Sequence, residues 1–292
     1  LALAVAAYSI WGLFPLYWPF LEPASAPEIL AHRIVWSLVF VVLLLIAWRR
    51  LHAVRRVPAL SWRYLVVAAV LISVNWGVYI YAVTSEQVVE ASLGYFISPL
   101  VTVGVAVVLL DERLRRGQWA ALALAAVAVV VLAVDNGRVP WIALVLASSF
   151  AVYGLLKKKA DVGAAESLLI ETSVLALPAL AYLVWLDLQG AGTFGRLSLG
   201  HSLLLAGAGL VTLVPLLAFS GATTRIPLST VGLMQYITPS LQFVIGVFLY
   251  HEPMPPARIA GFVLVWTSLV LFTLEAFTYR RRQLALAATP TG

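Results

Sequence analysis

The chain has 292 residues, 62% hydrophobic and only 11% charged, with a mean hydropathy of +0.98. Soluble domains are about a quarter charged, so a pair of water-soluble domains, the ordinary expectation for this length, gives way to a chain that lives in a bilayer. The net charge of +6 is spread between apolar runs, which fits a positive-inside membrane bias rather than nucleic acid, and the absence of cysteine rules out disulfides and thiolate metal sites.

Crossing a ~30 Å hydrocarbon core takes about 20 apolar residues per helix. Ten segments qualify, at residues 2–21, 29–48, 64–84, 88–110, 117–134, 140–156, 166–186, 202–221, 228–250 and 257–279. Residues 1–21 lack a basic leader, so they read as a first span rather than a signal peptide. Transmembrane strands would be about ten residues long and would alternate apolar with polar, so the spans are predicted to be helices. The predicted fold class is an all-α integral membrane protein.

Fifteen of the nineteen Lys and Arg fall on one side when the N-terminus is taken as cytoplasmic. They include Arg49, Arg50, Arg55, Arg56 and Arg63, then Arg113, Arg115 and Arg116, Lys157 to Lys159, Arg225, and Arg280 to Arg282. Both termini are therefore expected inside.

The phrase YFISPLVTVGVAVVLLDE at 95–112 recurs as QYITPSLQFVIGVFLYHE at 235–252, an offset of 140 residues. The two copies fall on spans four and nine. An odd offset of five spans means that they cross in opposite directions. Trp11-Gly12 and Tyr153-Gly154 fall in nearly the same frame, as do Ala82 and Ala222. The chain thus reads as two inverted five-helix repeats, residues 1–136 and 137–280, followed by a basic tail at 281–292. Inverted repeats are a common build for secondary transporters, with the solute site where broken helices of the two halves meet. Pro99 and Pro239 each remove a helix hydrogen bond and would free the carbonyls of Tyr95 and Gln235.

Polar residues collect near those prolines. Tyr95, Ser98 and Thr102 share one face of span four, and Gln235, Thr238 and Gln242 share the matching face of span nine, with Tyr236 alongside. Such a stripe faces another helix or water rather than lipid. It is read either as interhelical bonding or as the lining of a central cavity. Asn75 and Tyr79 on span three, Trp11 on span one and Tyr153 on span six are candidates for the same lining, or for plain packing.

His32 and Arg33 lie about one turn inside span two. Either Arg33 reaches outward to the headgroups while Glu28 steadies His32, or the pair anchors a substrate carboxylate or gates proton coupling. Glu90 is a further gate or coupling candidate, with an interfacial role favoured by the helix dipole as its alternative. Glu112 and Glu252 read as loop caps or partners of nearby Arg. Glu171 is expected to meet the lysine run, and Glu275 to meet Arg280 or Arg281. Trp18, Trp48, Trp62, Trp119, Trp141 and Trp185 fall near span ends, as an aromatic belt requires.

AYSIWGLFPLYW (7–18), EILAHRIVWS (28–37), NWGVYIYAV (75–83), EASLGYFISPL (90–100), PLST (227–230) and LMQYITPSLQFVIGV (233–247) resemble the RarD-type proteins. These form part of the EamA branch of the drug/metabolite transporter superfamily. The resemblance runs the length of the chain. It implies a ten-helix permease of the inner membrane with two EamA repeats, acting on a small metabolite such as an amino acid, or on a chloramphenicol-like amphiphile. Membrane lipid, the solute and a coupling proton are the expected partners, and no cofactor or metal is expected. The alternatives are a non-transporting receptor or scaffold and an intramembrane enzyme. No GxSxG, HExxH or nucleotide-binding loop supports the enzyme.

Overall fold

The computed structural model describes residues 1–110, 115–135, 137–223 and 234–287. Asp111, Glu112, Arg113, Arg225 and the PLST stretch at 227–230 lie outside the described residues. Within them the chain is helical, and no strand occurs. Helices α1 (Ala2–Gly12) and α2 (Phe14–Tyr17) lead into a 3-10 turn at Trp18–Leu21. Then come α3 (Ala26–Ala47), a 3-10 turn at Leu51–Arg56, α4 (Ala59–Thr84), α5 (Val88–Leu110) and α6 (Arg116–Asp135). The second half of the chain holds α7 (Trp141–Ala160), α8 (Ala164–Leu188) and α9 (Leu199–Thr223). It ends with α10 (Ile237–Val244), a π-turn at Ile245–Leu249, and α11 (Pro256–Ala287). The last helix thus runs into the stretch that the sequence assigns to a tail.

Seven of these helices are long and apolar enough to cross a membrane. The stretch from Ala2 to Leu21, bent by 47° at its break, makes an eighth if taken as one span, while Val88–Thr102 and Ile237–Leu249 are apolar but shorter. Large apolar side chains point outward all round the bundle, Leu43, Val67, Leu177, Leu199 and Phe248 among them. In water such a surface would drive association; in lipid tails it has its proper solvent. The protein is a multi-pass membrane protein.

Local chemistry sets the helix ends. Ser25 caps α3, its hydroxyl accepting from the Glu28 N–H, and Pro27 sits in the first turn, where its missing N–H is no loss. Asp161 ends α7 in the left-handed conformation, with φ of 50°.

The prolines of the two repeated phrases behave differently. Pro99 lies inside α5, which continues through it. Pro239 lies in the first turn of α10, because the chain turns at Gln235 and Tyr236 and starts a new helix there. The helix breaks expected at both prolines are therefore not alike.

Helix packing places one core at the centre. Here α3 packs on α8, α9 and α4; α7 on α4 and α5; α1 on α9 and α10; and α10 on α5. Pairs α4–α8, α8–α9 and α6–α11 complete the bundle. Phe14, Trp18, Ile29, Tyr79, Ile142 and Leu205 belong to the central cluster. Glycine permits the closest approaches. A Cβ on Gly209 would lie 2.5 Å from the Trp36 backbone carbon, so α9 rests directly on the α3 backbone. A Cβ on Gly12 would lie 2.7 Å from Leu241, which brings α1 against α10.

Candidate functional site

A polar network crosses the centre of the bundle. On α4, Asn75 and Tyr79 stand one turn apart on the same face. The Asn75 amide donates to the Leu146 carbonyl and the Ser149 hydroxyl on α7, both at 3.0 Å. Its carbonyl accepts from the Tyr95 hydroxyl at 3.1 Å. The Tyr95 and Tyr79 rings meet edge to face, with centroids 5.7 Å apart. Gln242 on α10 donates to the Tyr79 hydroxyl at 3.0 Å and to the Trp11 carbonyl at 3.3 Å. Thr238 donates to the Tyr8 carbonyl at 2.8 Å. Five helices, α1, α4, α5, α7 and α10, are thereby tied together. The Gln242 carbonyl oxygen and the Ser98 hydroxyl are buried there without a hydrogen-bond partner.

Arg33 borders this network. It is 3% exposed and does not reach outward to the headgroups. Its Nε donates to the Thr212 hydroxyl on α9 at 2.7 Å. Its guanidinium lies 4.0 Å from the Trp76 ring centroid, 5.3 Å from that of Trp18 and 5.5 Å from that of Phe14. Trp18 is fully buried, so it is part of this aromatic box rather than of an interfacial belt. The bend after α1 turns it inward. The other five tryptophans of the predicted belt are exposed.

His32 faces another way. It stacks on Phe194 of the α8–α9 loop, centroids 4.8 Å apart, and its Nδ1 has no partner. Glu28 is not bonded to His32: its carboxylate accepts from the Thr193 N–H at 2.7 Å and hydroxyl at 2.9 Å. The Thr193 hydroxyl also meets His201 at 2.9 Å. This cluster pins the α8–α9 loop over the end of α3.

Glu90 is held at the bundle edge. It accepts from the Ile142 N–H at the start of α7 and pairs with Arg138 at 3.3 Å. The carboxylate thus serves a helix N-terminus, as the dipole argument expects, but that of α7 rather than its own.

Other candidates lie apart from the network. Tyr153 donates to Glu171, which pairs with Lys157 at 2.7 Å, so the lysine run does meet Glu171. Phe150 links Tyr153 to Tyr95 through ring contacts. Thr102 is exposed and donates to the Ser98 carbonyl of its own helix. Gln235 is half-buried in the turn before α10, and Tyr236 packs into the cluster shared by α5, α6 and α11. Glu275 pairs with Arg115 at 2.5 Å; the side chains of Arg280 and Arg281, its expected partners, lie outside the described residues. Among the described residues, no group of three His, Asp or Glu side chains could hold a metal ion.

Sequence reasoning missed the box around Arg33 and the partners Ser149 and Thr212. The available signal was an arginine inside an apolar span, which demands a partner. It also missed the place of Glu252. In the loop before α11, its carboxylate accepts from the Val88 N–H at 2.5 Å and the Val89 N–H at 3.1 Å, capping α5. Burial pushes this carboxyl up to about 7, against the pull of those two N–H groups and of Arg258.

Residues 1–134 match the model of the EamA-like transporter family. Protein RarD of Streptomyces exfoliatus is 54% identical over 98% of this chain and 92% of its own length. The chain belongs to the RarD-type branch of the EamA family. An uncharacterized transporter of Vibrio cholerae is 41% identical to this RarD-type chain over 94% of it and 91% of the relative. A solved crystal structure superposes on it with a TM-score of 0.62 at 18% identity, covering 94% of this chain and 97% of that one, which speaks to the fold alone. By family, this RarD-type chain is a membrane transporter of the drug/metabolite kind.

Proposed function

We propose that the protein is a secondary transporter of the inner membrane that moves a small organic metabolite by alternating access between two inverted five-helix repeats. Residues 1–136 form one repeat and residues 137–280 the other, and both termini are cytoplasmic. The count of ten spans takes the bent α1–α2 stretch as one span and includes the short α5 and α10 segments. Helix pairing supports the repeat. Let α1, α3, α4, α5 and α6 correspond to α7, α8, α9, α10 and α11. The pairs α4–α7 and α5–α7 then become α9–α1 and α10–α1, while α3–α9 and α3–α4 become α8–α4 and α8–α9, each of which is also packed. Pairs α3–α8, α5–α10 and α6–α11 map onto themselves. An inverted pair of repeats can exchange conformations, and that exchange moves the opening from one side to the other.

The observation that carries the reading is the network of Asn75, Tyr95, Tyr79 and Gln242, which joins α4 and α5 of one repeat to α7 and α10 of the other. The solute site is assigned to this junction, with Trp11, Ser98 and Thr238 around it. Thr102, Tyr153, Gln235 and Tyr236 stand further out and would line the approaches. His32 and Glu90 are the candidates for proton coupling. The test is uptake into sealed proteoliposomes of a panel of amino acids, organic acids and chloramphenicol, with and without a pH gradient. Flux above that of empty liposomes supports the reading. No flux of any solute from folded, inserted protein would leave a receptor or scaffold as the better account.

A further inference from the structure

Arg33 is charged, buried and only partly bonded. Its Nε is taken by Thr212, its Nη1 has no hydrogen-bond partner, and among the described residues no carboxylate pairs with it. Two of the rings around it, Phe14 and Trp18, belong to the same central cluster as Tyr79 and Tyr95 of the polar network. A cation inside the membrane is costly unless something neutralises it, and aromatic faces give only part of what a counter-ion gives.

The geometry of what is missing can be read from what is present. Trp76 covers the face of the guanidinium and Thr212 takes Nε, which leaves the edge bearing the two Nη groups. That edge is the planar fork that fits a carboxylate with two parallel hydrogen bonds. One positive charge matches a monoanion. The walls are aromatic, so the rest of the ligand should be apolar or aromatic. The Gln242 carbonyl oxygen could accept from an ammonium group but is neutral, and the buried carboxylates among the described residues that could balance its charge are engaged elsewhere: Glu28 on Thr193, Glu171 on Lys157 and Glu252 on the start of α5.

We propose that Arg33 binds the carboxylate of the transported solute, and that this solute is a small monocarboxylate with an apolar or aromatic body and no ammonium group. The proposal rests on the transporter reading, because Arg33 is shut from solvent in this conformation and alternating access would open it. It also explains why Arg33 sits where α3 and α4 of one repeat meet α9 of the other. A ligand bound there touches both halves, and can report its presence to the exchange between them.

The experiment uses the purified full chain in detergent. Thermal unfolding and tryptophan fluorescence are followed while phenylacetate, phenylacetamide, phenylalanine and sodium chloride are titrated separately at constant ionic strength. Phenylacetate should raise the melting temperature and change the emission, Trp76 and Trp18 being at the site. The neutral amide and the zwitterion should bind about 100-fold more weakly, the scale of losing one partner of a buried charge pair. Arg33→Gln should erase the preference for acid over amide, and Arg33→Lys should keep it with weaker binding. Thr212→Val leaves the charge in place and loosens only its orientation. It should weaken the acid about tenfold while leaving the amide unchanged.

Equal binding of acid and amide overturns the proposal, as does an acid preference that survives Arg33→Gln. Phenylalanine binding as well as phenylacetate removes the clause on the ammonium. Chloride acting at the same concentration as phenylacetate makes Arg33 a counter-ion site only. No response to any acid from folded protein also ends the proposal. Flux in proteoliposomes separates this from the wider reading. Acid binding without flux of any solute defeats the transporter, whereas flux of neutral solutes without acid binding defeats the carboxylate site alone.

Discussion

The side-chain amide of Gln242 donates to the hydroxyl of Tyr79 at 3.0 Å, linking residues 163 positions apart in the sequence. Gln242 stands in the second copy of the repeated phrase and Tyr79 just ahead of the first. The bond therefore joins α4 in the first half of the chain to α10 in the second.

Loss of that bond should be measurable and modest. Hydrogen bonds between membrane helices average about 0.6 kcal/mol and reach about 1.7 kcal/mol. Tyr79→Phe and Gln242→Leu should each destabilise the protein by an amount in that range. The double variant should lose less than the sum, because the two share one contact. Unfolding in mixed micelles gives the cycle. Strict additivity would mean that the bond carries no coupling.

The ion pair of Lys157 and Glu171 should respond unevenly to its two single variants. The Glu171 side chain is 2% exposed and that of Lys157 is 24% exposed. Lys157→Met strands a buried carboxylate and should cost about 3–5 kcal/mol. Glu171→Gln leaves a lysine that can extend toward the headgroups, so its cost should be clearly smaller. The double variant should recover much of the loss. Comparable melting temperatures for the two single variants would refute this asymmetry.

Stability should vary with pH through Glu252. Burial raises its carboxyl to about 7 in the folded protein, from the usual value of 4.5 in the unfolded chain. Between those values the folded state holds the extra proton. Its contribution is complete at low pH and is lost as pH rises through about 7. The melting temperature should therefore fall between pH 5 and about 8 by a component that Glu252→Gln removes. A variant with the same slope as the parent would show that other groups set it.

Gly209→Ala should push α9 off α3. The added methyl would meet the Trp36 backbone carbon at 2.5 Å and the Ser37 nitrogen at 2.7 Å, and backbone cannot step aside as a side chain can. Overpacking of this kind costs about 1–3 kcal/mol. It should also loosen Thr212, three residues on, from Arg33. Gly104→Ala is the control, since nothing lies within 4 Å of its Cβ. Equal stability of the two variants would contradict the close approach.

The topology is open to a clean test, because the chain contains no cysteine. Single cysteines at His52 and Arg55 should react with a membrane-impermeant thiol reagent only from the cytoplasmic side. Cysteines at Gly137 and Arg196 should react only from the outside. Labelling of both sets from the same side would end the inverted ten-span reading.

Sequence alone determined the environment, the helical class and the membership of the family. Length and hydropathy demand a bilayer, and in a bilayer the backbone must satisfy itself within helices. Much of the central polar network was legible too. Asn75, Tyr79, Tyr95, Thr238 and Gln242 could be picked out because polar groups in apolar helices need partners. What the sequence left open was which partner. Thr102 and Tyr95 share a stripe on paper, yet one turns back to its own helix and the other crosses to Asn75. Glu28 and His32 are spaced for contact, yet Glu28 is claimed by the loop at Thr193. Trp18 lies where a belt residue should, yet a 47° bend between the first two helices carries it into the core. The tertiary structure alone decided these matters. Helical periodicity specifies the face on which a side chain lies, but the neighbour of that face depends on how helices far apart in the chain are packed. The aromatic box around Arg33 is of that kind. Its residues come from α2, the turn after it, α3 and α4, with Thr212 added from α9, and only the packed bundle brings them round one charge.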